Sequence, residues 1–328
     1  MRGIGMGVML LLLASATQAQ QPAPNQEALP ATSPGAEAQE SAKGHGNVSV
    51  AYLSTYSNGF QFDSKTNLPL ATVRSRGIAL DVDYNVSDDW SVHVSIPYID
   101  NRFVSGSSPH CPTTAPPQCA GQPVLNPQHP ESAFIDDGRY HGTWQDFNFG
   151  AAWHTHLGNY YITPSVTAII PSHDYVFFDN AAVGQRLRQL QLGATLAHQF
   201  DFSNIYYKLG YAYVFSRHLL GVDTGYQRYD AELGWFVNEK FSLRGFLSGR
   251  DGFGLSAREL LPLTEGQTNA FWYHHDQLAG HSYRGVGVGF DYDIGKRYTL
   301  TMGVQHEIWG STVFDFKYAL ETRLTRSF

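Results

Sequence analysis

Charge is scarce in this chain. Only 16% of its 328 residues are Asp, Glu, Lys or Arg, and 22 basic residues stand against 29 acidic ones, a formal charge of −7. With no basic excess to neutralise phosphates, nucleic acid is excluded as a partner. Beyond the N-terminus no run of about 18 apolar residues occurs, which excludes a transmembrane helix in the mature chain. Catalytic signatures are missing too: there is no GxSxG, no HExxH and no phosphate-cradling glycine loop. What the chain does have is 42% hydrophobic residues, 14% aromatics and 32 glycines. A disordered chain has few aromatics and dense charge, so disorder is excluded as well. Many Tyr, Phe and Gly with few charges point to β-structure with an apolar outer surface.

The first residues read as a targeting signal. Arg2 is a positive n-region, Val8–Leu13 an apolar h-region, and Ala14-Ser15-Ala16 and Thr17-Gln18-Ala19 are candidate cleavage sites, the second favoured. Residues 1–19 are therefore expected to be a signal peptide. Residues 20–46, rich in Pro, Ala, Gln, Glu and Ser, are expected to form a disordered periplasmic tail. That leaves 47–328 for a single folded unit.

Within that unit the sequence alternates. Ile78, Leu80, Val82, Tyr84 and Val86 interleave with Ala79, Asp81, Asp83 and Asn85, and Trp90, Val92, Val94, Ile96 and Tyr98 with Ser91, His93 and Ser95. Val286 to Ile294 and Tyr298 to Val304 repeat the pattern. Period-two alternation means strands with one apolar face, and about twelve such segments are found. Their links alternate in length. Short turns fall near Ser87–Asp89, Leu157–Asn159, Asp201–Ser203, Asn238–Glu239 and Gly295–Lys296. Longer links fall near Asn58–Thr72, Asn101–Gly142, Pro171–Gly184, Arg217–Thr224 and Arg250–Gly280. Short periplasmic turns and long extracellular loops are the rhythm of a Gram-negative outer-membrane barrel. Aromatics flank both ends: Trp90, Tyr160, Phe241 and Tyr298 by the short turns, Tyr98, Phe103, Trp144, Phe215, Tyr226, Trp309 and Phe314 by the others. Two girdles are what the membrane interface selects. The expected fold is all-β, a transmembrane antiparallel up-and-down β-barrel of about twelve strands in the cell outer membrane.

The last strand places Phe314, Phe316, Tyr318, Leu320, Leu324 and the terminal Phe328 on one face, with Asp315, Lys317, Glu321 and Arg323 on the other. This resembles the terminal strand of bacterial outer-membrane proteins, whose final Phe is read by the barrel-assembly machinery. Three further stretches, DVDYNVSDDWSVHVSIPYIDNRF, GTWQDFNFGAAWHTH and YYITPSVTAIIPSHDY, span residues from about 76 to 175. They resemble the core of a family of outer-membrane barrels described as phenol meta-cleavage pathway proteins or as transporters. Here Gln145-Asp146 stands where that family has Gly-Asp, and Ser172-His173-Asp174 where it has Thr-Gly-Asp. The resemblance implies uptake of hydrophobic or aromatic compounds and brings no catalytic residue and no cofactor.

Cys111 and Cys119 share the longest loop, and an oxidising periplasm predicts a local disulfide between them. The histidines and acids of that loop read as solvated residues rather than metal ligands. His93, His154 and His156 face inward by parity. An enzyme would need a serine, a histidine base and an orienting polar group to converge there; neighbours two apart on a strand do not do so. The Tyr273-His274-His275-Asp276 cluster reads as loop surface. Parity puts Arg76, Asp81, Asp83, Asp146, Lys208, Arg228, Asp230, Glu232, Arg244, Asp291, Asp293, Glu307, Lys317, Glu321 and Arg323 inside. They form either an ion-paired plug or a polar path for a small-molecule solute. Inward Gly and Ala (Gly150, Ala152, Gly193, Gly210, Gly234, Gly287, Gly289, Gly303) argue for open space. A three-residue turn at Val237–Glu239 would set Glu232 opposite Arg244. The expected role is a passive or facilitated pore, not an enzyme, with outer-membrane lipid around it. A structural or surface-interaction barrel is the alternative, and a lumen or wall hydrolase the third reading.

Overall fold

The computed structural model describes residues 43–105, 125–126, 129–133, 135–136, 138–263 and 270–328. The strands in chain order are β1 (Gly46–Asp63), β2 (Thr66–Asn85), β3 (Trp90–Ser105), the small pair β4 (Leu125–Asn126) and β5 (His129–Ala133), β6 (Tyr140–Trp144), β7 (Phe147–Trp153), β8 (Thr155–Leu157) and β9 (Tyr160–Ile170). They continue as β10 (Gln189–Gln199), β11 (Ile205–Ser216), β12 (Tyr226–Asn238), β13 (Phe241–Gly252), β14 (Ser282–Ile294), β15 (Tyr298–Ser311) and β16 (Val313–Ser327). Three helices, α1 (Ala257–Leu263), α2 (Ala270–Tyr273) and α3 (His275–Leu278), lie between β13 and β14. β6, β7 and β8 are one path across the wall, broken at Gln145–Asp146 and at His154. The result is a closed antiparallel barrel of twelve strands. β1 and β16 close it, paired from Asn47–Ser327 to Gln61–Val313. Closure leaves no strand edge, so backbone groups in the wall are satisfied without water.

The two faces are inverted relative to a soluble protein. Along β1, Ser49, Ala51, Leu53 and Thr55 are buried while Val50 and Tyr52 point out. The outward set continues with Ile78, Leu80, Val92, Phe149, Leu192, Leu209, Leu233, Leu247 and Val304, whereas Asp81, Lys208, Glu232 and Arg244 are buried. A contiguous apolar exterior around a polar interior is stable only in hydrocarbon. The short turns fall where alternation placed them.

The other end departs from the expected rhythm. Asn58–Thr72 is not a loop: β1 and β2 stay paired through Phe60–Leu68 and Gln61–Asn67 to a tight turn at Asp63–Thr66. Its Asn, Pro and Gly residues read as loop composition, yet Gly59, at φ 89°, absorbs a bulge that lets pairing continue. β15 joins β16 through Thr312 alone, at φ 59°. A bulge on β16 next to Lys317 shifts the face of the last strand. Phe314 and Phe316 therefore turn inward at 1% and 0% exposure rather than joining Tyr318 and Leu320 on the outside. Phe103 and Tyr226, expected in the girdle, also face inward and are buried. The interior takes these rings because two connections fold into the barrel mouth, residues 171–188 and, among the described residues of the other, 253–263 and 270–281. Ala181, Ala257, Leu260 and Leu278 pack there against Phe60, Val73, Phe103 and Phe314.

Candidate functional site

The lumen has two storeys. In the periplasmic half, inward positions of neighbouring strands meet as the pleat requires and carry linked polar groups. Arg323 donates from Nη1 to Asp81 at 2.6 Å and from Nε to Glu321 at 2.8 Å. His93 Nδ1 lies 2.7 Å from Asp83. Lys208 faces Glu232 across β11 and β12. Glu232 accepts the Tyr206 hydroxyl at 2.8 Å and the Arg244 guanidinium at 3.2 Å, and both members of that ion pair are fully buried. Asp291 accepts from Ser242 at 3.1 Å and Thr301 at 2.6 Å, and Asp293 accepts from Thr299 at 2.7 Å. Arg228 reaches Gln191 at 3.5 Å, and Asp230 lies against Gly210. Buried charges are tolerable because each is partnered.

Several expectations need correction. Arg76 faces outward in phase with Ile78 and Leu80, and pairs with Asp100 at 2.8 Å; position 76 has the parity of the lipid face, not of Asp81. Lys317 sits at the bulge, exposed, with its ammonium on Asp315. Glu232 is opposite Phe246, and Gly234 is opposite Arg244, because the turn runs Asn238–Phe241 with a bulge after Phe236. The Glu232–Arg244 pair forms diagonally. The inward glycines do not mark free space. A Cβ on Gly234 would meet the Tyr206 ring at 2.1 Å, on Gly287 the Phe246 ring at 2.2 Å, and on Gly289 the Arg244 Nε at 3.0 Å. They let long side chains lie flat on the wall. Cys111 and Cys119 lie outside the described residues, and so does the disulfide expected between them.

The extracellular half holds the two inturned segments. Asn101 donates to the Ala182 carbonyl at 2.6 Å, and Gln145 donates to the Val183 carbonyl. The Tyr175 hydroxyl donates to Asp146 at 2.5 Å, so the Gln145–Asp146 break in the wall is a docking point. Asp136 accepts from Asn180 at 2.5 Å and from the Ala181 N–H at 2.9 Å, and Asp179 accepts the Ile135 N–H. The segments lock to each other: Gln185 donates to the Asp276 carbonyl at 3.1 Å and Gln277 to the Gln185 carbonyl at 2.6 Å. Phe177, Phe178, Trp272 and Tyr273 cluster at this junction, with Phe177 and Tyr273 ring centres 5.2 Å apart. Burial, and then the Asp136 carboxylate, raise the Asp179 pKa well above the ordinary range. Glu307, in β15 beneath the mouth, accepts the Phe316 N–H at 3.2 Å. Alternation missed this storey because its residues lie in links with no period. One readable signal was present: Ser256 and Glu259 form a capping box at the start of α1, Glu259 accepting the Ser256 N–H at 2.8 Å.

At the periplasmic rim Ser91 Oγ lies 2.8 Å from His154 Nε2, and among the described residues no carboxylate bonds the His154 ring. On the outer wall, Leu233, Trp235, Gly245, Val288, Phe290 and Met302 line an apolar groove of about 530 Å³.

Apolar exterior, polar interior and closure define an outer-membrane β-barrel. No protein-family model and no curated protein matches the chain. Solved structures do. An outer membrane channel from Pseudomonas putida F1 aligns over 92% of this chain and 97% of its own, at TM-score 0.60 and 13% identity. The NanC porin covers 85% and 98% at TM-score 0.44 and 8% identity. The P. putida toluene transporter TodX covers 87% and 89% at TM-score 0.41 and 10% identity. At these identities the shared property is the barrel fold.

Proposed function

We propose that the chain is a passive outer-membrane pore for small neutral or cationic solutes, with the two inturned segments as its gate. The observation that carries this reading is the division of the lumen. An acid-rich, side-chain-lined periplasmic half lies beneath a plug that is held to the wall by side-chain hydrogen bonds and an apolar cluster and is not part of the strand ladder. Like charge in a narrow passage is costly, so acid excess disfavours anions. The Phe177, Phe178, Trp272 and Tyr273 rings are buried against one another in the docked plug and become stacking surfaces for a planar compound only when it opens, in keeping with the aromatic solute class implied by the phenol-pathway resemblance. The outer membrane holds no ATP, so movement follows the solute gradient. In planar bilayers the folded protein is expected to give small, cation-preferring currents, and Gln185→Ala with Gln277→Ala is expected to raise them. A folded protein silent in both forms, with no flux of phenol into liposomes, would leave the surface-structural reading. The Ser91–His154 contact favours a second reading, a hydrolase at the rim. Labelling by a fluorophosphonate that Ser91→Ala abolishes would support it.

A further inference from the structure

High on the outer wall, Arg74 of β2 stands directly opposite Arg102 of β3. Like charges in that position repel each other. One step lower Arg76 faces Asp100, the single acid of the group, at 2.8 Å. The Arg76 and Arg102 guanidiniums lie 4.0 and 5.9 Å from the centre of the same Tyr140 ring, and Arg74 lies 5.3 Å from that of Tyr56. Beneath this patch runs the aromatic girdle of Tyr52, Tyr98 and Trp144. Rows two residues apart are about 7 Å apart along a strand. The guanidiniums therefore sit just outside the girdle, at headgroup depth. Elsewhere on the wall the outward Arg284 is neutralised by Asp251 at 2.6 Å. Here, among the described residues, three guanidiniums share one carboxylate, Arg102 donating besides only to the neutral Gly138 carbonyl at 2.7 Å.

We propose that Arg74, Arg76 and Arg102 bind the phosphate of an outer-leaflet phosphoglycolipid. Planar guanidinium forks match phosphate in bidentate geometry, and a bridging anion removes the Arg74–Arg102 repulsion. Asp100 and the Tyr140 ring hold Arg76 in place. The site faces lipid and is separate from the lumen, so it does not depend on the pore reading.

The test is native mass spectrometry of the detergent-solubilised, folded protein with bis-phosphorylated lipid A. Arg74→Gln with Arg102→Gln is expected to weaken binding roughly thirtyfold, about fivefold for each guanidinium lost. Arg74→Lys with Arg102→Lys is expected to retain most of it, and Arg284→Gln all of it. Heat-modifiable mobility on gels reports that each variant is folded. Fully dephosphorylated lipid A binding as well as the intact lipid would overturn the proposal, as would a folded Gln variant with wild-type affinity. Inorganic phosphate displacing the lipid at equal concentration would also overturn it, by assigning the site to free phosphate.

Discussion

Glu232 and Arg244 show how a charge is held inside a wall this thin. Both are fully buried, and each is the other's partner at 3.2 Å. Removing one takes from the other a fully buried charge partner, at a cost of up to about 3–5 kcal/mol. Arg244→Met and Glu232→Leu are each expected to lower the urea midpoint by that equivalent, and the double variant to lose less than the sum. Purely additive losses would show that the pair is not coupled. The glycines behave by the same local logic. Gly287→Ala drives a methyl into Phe246, 2.2 Å from the nearest ring atom, and is expected to cost about 1–3 kcal/mol. Gly245→Ala, with nothing within 4 Å of its Cβ, is expected to stay within about 0.5 kcal/mol. Urea unfolding of the two variants checks the contrast. Parity alone put Glu232 and Arg244 on the inner face. It did not reveal that the glycines beside them were already covered, because occupancy depends on which neighbour lies flat.

At the scale of elements, the inturned segments are the least regular part of the molecule and the part whose stability pH should tune. Burial and Asp136 push the Asp179 pKa up, with Asp276 adding to the effect while the Ile135 N–H opposes it. An acid whose pKa is raised on folding binds its proton more tightly when docked. The docked state is then most stable below the ordinary carboxylate pKa of about 4 and loses stability as pH rises through the window above it. Protease cleavage within 171–188 is expected to accelerate with pH across that window, and Asp179→Asn to flatten the dependence. A flat wild-type profile would refute the assignment. On the neighbouring segment, Ser256→Ala removes the α1 cap at about 0.5–2 kcal/mol, read as faster amide exchange in 257–263 with β14 unchanged.

For the whole molecule the decisive contact is closure. Gly46 and Phe328 exchange backbone hydrogen bonds at 3.1 and 2.9 Å, so the last residue completes the wall beside the first strand. Deleting Phe328 is expected to lower the heat-modifiable fraction in cells severalfold while leaving the refolded barrel stable in detergent. That outcome separates recognition by the assembly machinery from intrinsic stability; equal losses in both settings would assign Phe328 to packing alone.

Strand number, the side carrying the short turns and the inner face of most charged residues were legible in the sequence. All three follow from a period of two, which needs only nearest neighbours along the chain. Arg76 was misplaced although its parity marked it as outward, and Lys317, Phe314 and Phe316 because a bulge changes parity without changing composition. The turn at Asn238–Phe241 moved Glu232 and Arg244 from directly opposite to diagonal by the same kind of local insertion. The sequence by itself determined a membrane-spanning barrel with a polar inside, since alternation sorts side chains between lipid and lumen whatever lies beyond. Only the tertiary structure decided what occupies that lumen. Asn101, Gln145 and Gln185 reach partners 81, 38 and 91 residues away, and no local pattern records a hydrogen bond that exists only once the barrel has closed around it.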